Sequence, residues 1–204
     1  ACVGGLASGL IYRQFGGLRF DELHPDLMNN LDNYNPIMNR LENMTDRFID
    51  CVGQDNFFLE MQFNDLPAQH LTNRCLLDLS QKTGVPLIAT ADSHFPDPQK
   101  WHARELYKKL GWLGHTKFDP SQLPQSIDDL KCELYPKNAS QVWDSYNNTT
   151  TNYDWYDDDL VCDAIERTHW IAYEQIGDIH PDTKMKLPSY TIPKGKSANE
   201  ALID

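Results

Sequence analysis

The sequence predicts an α/β fold, and three observations carry that prediction. Asn56-Phe-Phe-Leu-Glu-Met-Gln62 is an apolar run of strand length, interrupted only by Glu60. Asp65-Leu-Pro-Ala68 opens a helix whose Leu71, Cys75, Leu76 and Leu79 fall at core spacing and which Gly84 stops. Val85-Pro-Leu-Ile-Ala89 is a second short apolar run, the pattern of a buried parallel strand. Strand, helix and strand with short links form a βαβ unit. Residues 56–62 and 86–91 are therefore expected as adjacent parallel strands, with a helix over about 68–83 packed outside them.

The remaining elements follow in order. Ala1 to Ile11 is small and apolar, a tight turn leading into a short helix that Gly16-Gly17 breaks. Residues 20–35 are rich in Asn, Asp and Pro and read as an irregular loop. Ile37, Leu41, Met44, Phe48 and Ile49 recur at helical spacing, so a helix is expected over about 36–52 with Pro36 in its first turn. Asp97-Pro98 starts another, to about 110, where Gly111 stops it, and residues 112–126 read as loop. Glu133-Leu-Tyr-Pro-Lys137 reads as a short strand, and Asn138 or Ser140 caps the helix that follows. The aspartates at 157–159 favour the amino end of a helix over about 158–176, and the proline-rich end of the chain is extended. His70 is expected in solvent, His102 in solvent in preference to the site, and His169 packed or solvated.

Composition limits the function. The 204 residues are 40% hydrophobic and 11% aromatic, enough for a folded core. A net charge of −12 repels a nucleic-acid backbone, so this piece is not expected to be the main grip on DNA. Five scattered cysteines without Cys-x-x-Cys spacing suit a reducing cytoplasm. No run of 18 apolar residues marks a membrane span. The chain opens at Ala1-Cys2-Val3-Gly4-Gly5 without an initiator Met, the expectation for a fragment or processed piece.

The chemistry concentrates just past the second apolar run. Thr90, Asp92 and His94 alternate with Ala91 and Ser93. If the strand continues that far, its period of two sets the carboxylate and the imidazole on one side, at the end where α/β enzymes place ligands and catalytic groups. Taken alone, the triplet is equally a capping Asp followed by a solvated His. Glu60 within its apolar run is either a satisfied structural carboxylate or a residue lining the same site. No Gly-rich phosphate loop, Gly-x-Ser-x-Gly or His-Glu-x-x-His is present.

Five phrases, in order and at matching separations, resemble the amino-terminal region of bacterial-type replicative polymerases, the C-family DNA polymerase III alpha subunits. They are Ala1-Cys2-Val3-Gly4-Gly5, Asn56-Phe-Phe-Leu-Glu-Met-Gln62, Pro86-Leu-Ile-Ala-Thr-Ala-Asp-Ser-His-Phe95, Glu133-Leu-Tyr-Pro-Lys-Asn-Ala-Ser-Gln-Val142 and Leu187-Pro-Ser-Tyr-Thr-Ile-Pro-Lys-Gly195. The resemblance covers nearly the whole chain, except for the loops at 16–35 and 147–159. It implies the latter half of a PHP (polymerase and histidinol phosphatase) domain, part of a distorted (βα)7 barrel with a helical and extended C-terminal extension. Residues 1–130 would be the C-terminal part of that domain, and 131–204 its end and the linker toward a polymerase domain.

The same resemblance implies Cys2, Asp92 and His94 as metal ligands, with Glu60 lining the site. Thiolate, carboxylate and imidazole suit zinc, with manganese or magnesium as alternatives. The implied partners are the amino-terminal half of the PHP domain, the downstream polymerase domain and DNA. The implied activities are DNA synthesis by the parent protein and metal-dependent 3′–5′ exonuclease proofreading, with no catalytic residue in this chain alone. Two other readings stand beside it: a stand-alone PHP phosphoesterase of the histidinol-phosphatase type, and a non-catalytic scaffold domain.

Overall fold

The computed structural model describes residues 4–18, 20–113, 133–184 and 191–203. The chain is mixed and mostly helical around a small parallel sheet. Strands β1 (Leu59–Met61) and β2 (Leu87–Ala89) pair in register Leu59 with Leu87 and Met61 with Ala89. Helix α3 (Pro67–Thr83) connects them. The βαβ unit is thus present, with shorter strands than expected, and Asn56 lies in a 3-10 turn instead of a strand.

Helix α3 begins at Pro67, whose fixed φ suits a first helical position. It ends where Gly84 adopts φ +72 and returns its N–H to the Ser80 carbonyl at 2.8 Å. Leu71, Cys75, Leu76 and Leu79 on its inner face are fully buried, and β1 and β2 add Leu59, Met61 and Leu87 to the same cluster. Helices α1 (Gly5–Gln14) and α2 (Leu31–Val52) pack on each other and on α3, supplying Ala7, Ile11, Ile37, Met38 and Leu41. Ser8 Oγ lies 3.2 Å from Thr72 Oγ1, and the Tyr12 hydroxyl donates to the Ala68 carbonyl at 3.1 Å, so α1 is pinned along α3.

Helix α2 starts five residues earlier than the periodicity suggested. The Asn30 side chain accepts the Asp32 N–H at 2.9 Å, and this cap carries the helix through Pro36. The 20–35 stretch holds two 3-10 turns, Phe20–Glu22 and Pro25–Asn29, in place of plain loop. Helix α4 (Trp101–Leu113) follows a 3-10 turn at Pro98–Lys100 and runs through Gly111. The rest of the expected 112–126 loop lies largely outside the described residues.

Residues 133–137 form no strand. Pro136 lacks an N–H to donate, and the segment contributes instead the Leu134 carbonyl, described below. Helix α5 (Ala139–Thr149) opens on a capping box between Asn138 and Gln141. Asp157 accepts the Leu160 N–H at 3.1 Å to cap α6 (Asp158–Trp170), which passes into a π turn at Ile171–Gln175. Val142, Tyr146, Val161, Ala164 and Ile165 join the cluster built by the βαβ unit, so α5 and α6 share its core. A short α7 (Ala198–Ile203) lies near the end. Among the described residues no helix is long and apolar enough to cross a membrane.

Candidate functional site

The chain leaves β2 through Thr90-Ala-Asp-Ser-His94. Thr90 still belongs to the ladder, its N–H donating to the Met61 carbonyl at 3.0 Å. Glu60 and Ile88 are register partners, so Glu60 and Thr90 share one face of the sheet. The Thr90 hydroxyl donates to Glu60 Oε1 at 2.5 Å. The interruption of β1 by Glu60 is therefore a carboxylate committed to the exit of β2. Its other oxygen meets the start of α1: a Cβ added at Gly4 would lie 2.9 Å from Glu60 Oε2 and 3.3 Å from the Glu60 carbonyl oxygen.

The alternation expected through His94 does not extend that far. Asp92 adopts φ +45, the left-handed region that disfavours side chains, and so turns the chain out of the strand period. Asp92 and His94 still come together: Asp92 Oδ2 is 3.8 Å from His94 Nδ1, and both side chains are about half exposed. His94 Nδ1 lies 2.6 Å from the Asp92 carbonyl oxygen. A carbonyl only accepts, so Nδ1 carries a proton, and in the neutral ring Nε2 is the nitrogen with the lone pair. The Leu134 carbonyl accepts the N–H groups of His94 at 2.7 Å and Phe95 at 3.2 Å, and Phe95 packs on Leu134. The turn is thereby anchored from the segment once expected as a strand.

Cys2 lies outside the described residues. Among those described, no three His, Cys, Asp or Glu side chains lie close enough to hold a metal ion together. Asp92 and His94 are a two-donor set, a carboxylate and an outward imidazole nitrogen. Their chemistry fits a divalent ion that takes further ligands from elsewhere.

An open cleft of about 1200 Å³ adjoins this exit, bounded by Thr90 and Ala91, the start of α5 and the second half of α6. It is lined by mixed charge, Lys137 and Arg167 beside Asp163 and Glu166, and its walls include neither Asp92 nor His94. Arg167 reaches from α6 to donate to the Leu87 carbonyl at 2.6 Å. Nothing in the sequence distinguished Arg167 from the other charges of its helix. Thr90 carried a faint signal, its place in the alternation before Asp92.

His70 corrects an expectation. It is 1% exposed instead of solvated, because its ring sits within a cluster of Phe63, Tyr146, Tyr153 and Tyr156. The Asn73 amide donates to the Tyr156 hydroxyl at 2.8 Å, and that hydroxyl lies in hydrogen-bond contact with His70 Nδ1 at 2.8 Å. Burial pushes the imidazole down to about 4, opposed by the nearby Asp65 and the Asn64 backbone. His102 is exposed, as expected, and His169 is exposed against Tyr173.

No family model matches the chain. Curated relatives do. It is 25% identical over 173 residues to DNA polymerase III subunit alpha of Aquifex aeolicus, covering 80% of this chain and 13% of that one. It is 28% identical over 150 residues to the Pseudomonas fluorescens subunit, covering 74% and 11%. With the Borreliella burgdorferi subunit the identity is 26% over 148 residues, covering 72% and 10%. The chain thus spans 10–13% of the length of these relatives.

Proposed function

We propose that this chain, a relative of the alpha subunits of DNA polymerase III, is the latter half of a PHP domain in a replicative DNA polymerase and helps to hold a divalent metal there. On this reading β1 and β2 are two staves of a distorted (βα)7 barrel. Residues 1–130 belong to that domain, and 131–204 complete it and lead toward the polymerase domain. The amino-terminal half of the domain supplies the remaining ligands, and DNA is the substrate of the parent protein. The metal is zinc, with manganese or magnesium as the alternatives for the carboxylate side of the site.

One observation carries the metal reading: the state of His94 at the carboxyl end of β2. The Asp92 carbonyl accepts the Nδ1–H hydrogen bond, which leaves Nε2 of the half-exposed imidazole as the nitrogen that would ligate in the neutral ring. A second-shell acceptor on one ring nitrogen is how ligating histidines are oriented and kept basic. Asp92 adds a carboxylate within 3.8 Å of the ring, on backbone strained enough to mark a functional turn. Cys2, two residues before Gly4, is the third donor. When bound, such an ion lowers the pKa of a water and stabilises charge on a phosphodiester under attack, the chemistry of 3′-end proofreading. The chain's own residues orient the ion, and their exposure leaves a DNA end room to approach.

The test is metal content and 3′-end degradation, for this chain alone and after it is joined to the amino-terminal PHP half of a relative. The chain alone should cleave no DNA, because its donors hold at most one ion. The joined protein should hold zinc, and Asp92→Asn and His94→Ala should each lower occupancy at least tenfold. Vigorous metal-dependent cleavage by the isolated chain would overturn this reading in favour of a stand-alone phosphoesterase. Full zinc occupancy in both variants would show that Asp92 and His94 are not its ligands, and a joined protein without zinc would reduce the domain to a scaffold.

A further inference from the structure

We infer that Glu60 is a positioning residue that joins two segments flanking the candidate metal site, the exit of β2 and the entry to α1. The metal consequence rests on the reading above; the joint itself rests on geometry alone. Glu60 sits at the middle of β1, where Leu59 and Met61 on either side are fully buried. Glu60 itself is half-buried, on the opposite face of the strand from Leu59 and Met61. Oε1 accepts the Thr90 hydroxyl at 2.5 Å, which fixes the last ladder residue of β2, two positions before Asp92. Oε2 faces Gly4, so closely that only a residue without a Cβ fits unless the carboxylate moves. Gly4 in turn accepts the Ser8 N–H at 3.0 Å and so sets the first turn of α1. One side chain thus meets the segment before Asp92 and the segment after Cys2. Among the described residues, no backbone hydrogen bond joins the two segments.

The arrangement explains why a strand otherwise made of apolar residues carries an acid. Leucine would fit the burial pattern but would bond neither segment. Glutamine keeps an amide oxygen able to accept from Thr90, so it should substitute with little loss. Valine at Thr90 removes the same bond from the other side. Because both changes delete one interaction, their effects should not add.

The experiment has two readouts, amide exchange on the full 204-residue chain and zinc affinity on the same chain joined to the amino-terminal PHP half of a relative. The first is amide hydrogen exchange. Glu60→Leu should lower protection at Thr90 and Ser8 at least tenfold, with Glu60→Gln within about threefold of the parent; unchanged protection in Glu60→Leu overturns the proposal. The second is zinc affinity by competition with a chromophoric chelator, alongside urea stability. Outer-shell partners of metal ligands are worth about 10–100-fold in affinity. Glu60→Leu, Thr90→Val and the double variant should therefore each lose about tenfold, with Glu60→Gln close to the parent. A loss in Glu60→Leu that tracks a fall in urea stability and that Glu60→Gln does not rescue marks a merely structural carboxylate. If the joined protein binds no zinc, or its Asp92→Asn variant binds it unchanged, the metal reading fails, and the exchange data alone decide whether Glu60 makes the joint.

Discussion

The β1–α3–β2 unit and the five residues that follow it are built on opposite principles. In the unit, position is set by exclusion of water: Leu59, Met61, Leu71, Leu76 and Leu79 are fully buried, and the backbone runs in regular conformations. In Thr90 to His94, position is set by single polar contacts. They comprise a hydroxyl on Glu60, a ring nitrogen on the Asp92 carbonyl and two N–H groups on Leu134, around one residue in the left-handed region. The lesson is a division of labour. The unit is held by packing, whereas the exit keeps the Asp92 and His94 side chains about half exposed.

The sharpest way to break this contrast is within the unit. Leu76→Ala should cost about 2–5 kcal/mol, read as a lower urea midpoint with an unchanged slope, because the fully buried site leaves a cavity. A cost below about 1 kcal/mol would mean that α3 is not the brace described.

A second test uses acidity. His70 belongs to the buried side of the comparison, and burial lowers its pKa from 6.5 to about 4. Between these values the unfolded chain binds the extra proton, so stability rises with pH there. The contribution is complete above about pH 6.5 and is lost as pH falls toward 4, for a total of about 3 kcal/mol. His70→Leu should flatten the dependence of the urea midpoint between about pH 7 and pH 4.5. An equally steep dependence in that variant would assign the effect to other groups.

How legible these regions were in the sequence follows the same division. The unit could be read because burial writes itself as periodicity: apolar runs, core-spaced leucines and a Gly84 stop. His70 could not. Its partner Tyr156 lies 86 positions away, and no local pattern reports a contact at that distance. Residues 133–137 resembled a strand by residue type, but Pro136 has no N–H for a ladder, and the segment bonds instead through the Glu133 N–H to Asn64 and the Leu134 carbonyl to His94 and Phe95. At the site, Asp92 and His94 were visible as a spacing, and their local meeting was found. The turn that brings them together was not, since an Asp at positive φ looks like any other Asp in a sequence. Cys2 rested on resemblance alone and lies outside the described residues.

The smallest effect sharpens the comparison from the other side. At φ +45 a glycine is unstrained, while alanine carries a Cβ without the local hydrogen bonding that helps Asp. Asp92→Gly should change stability by less than about 0.5 kcal/mol, and Asp92→Ala should cost about 1 kcal/mol. Equal stability of the two variants, measured by urea unfolding, would show that the turn is not held in this conformation.

Arg167 gives the sheet a valency of one. The ladder uses Pro86 and Thr90 toward β1, so the Leu87 carbonyl points the other way, and there the guanidinium occupies it. A foreign strand arriving at that side would first have to strip a charged hydrogen bond, worth about 1.5–3 kcal/mol. It would also have to displace α6, whose Val161, Ala164 and Ile165 are buried in the shared core. Accretion of copies, strand upon strand, needs two receptive borders on every molecule. The Arg167 bond on the β2 border therefore works against such accretion.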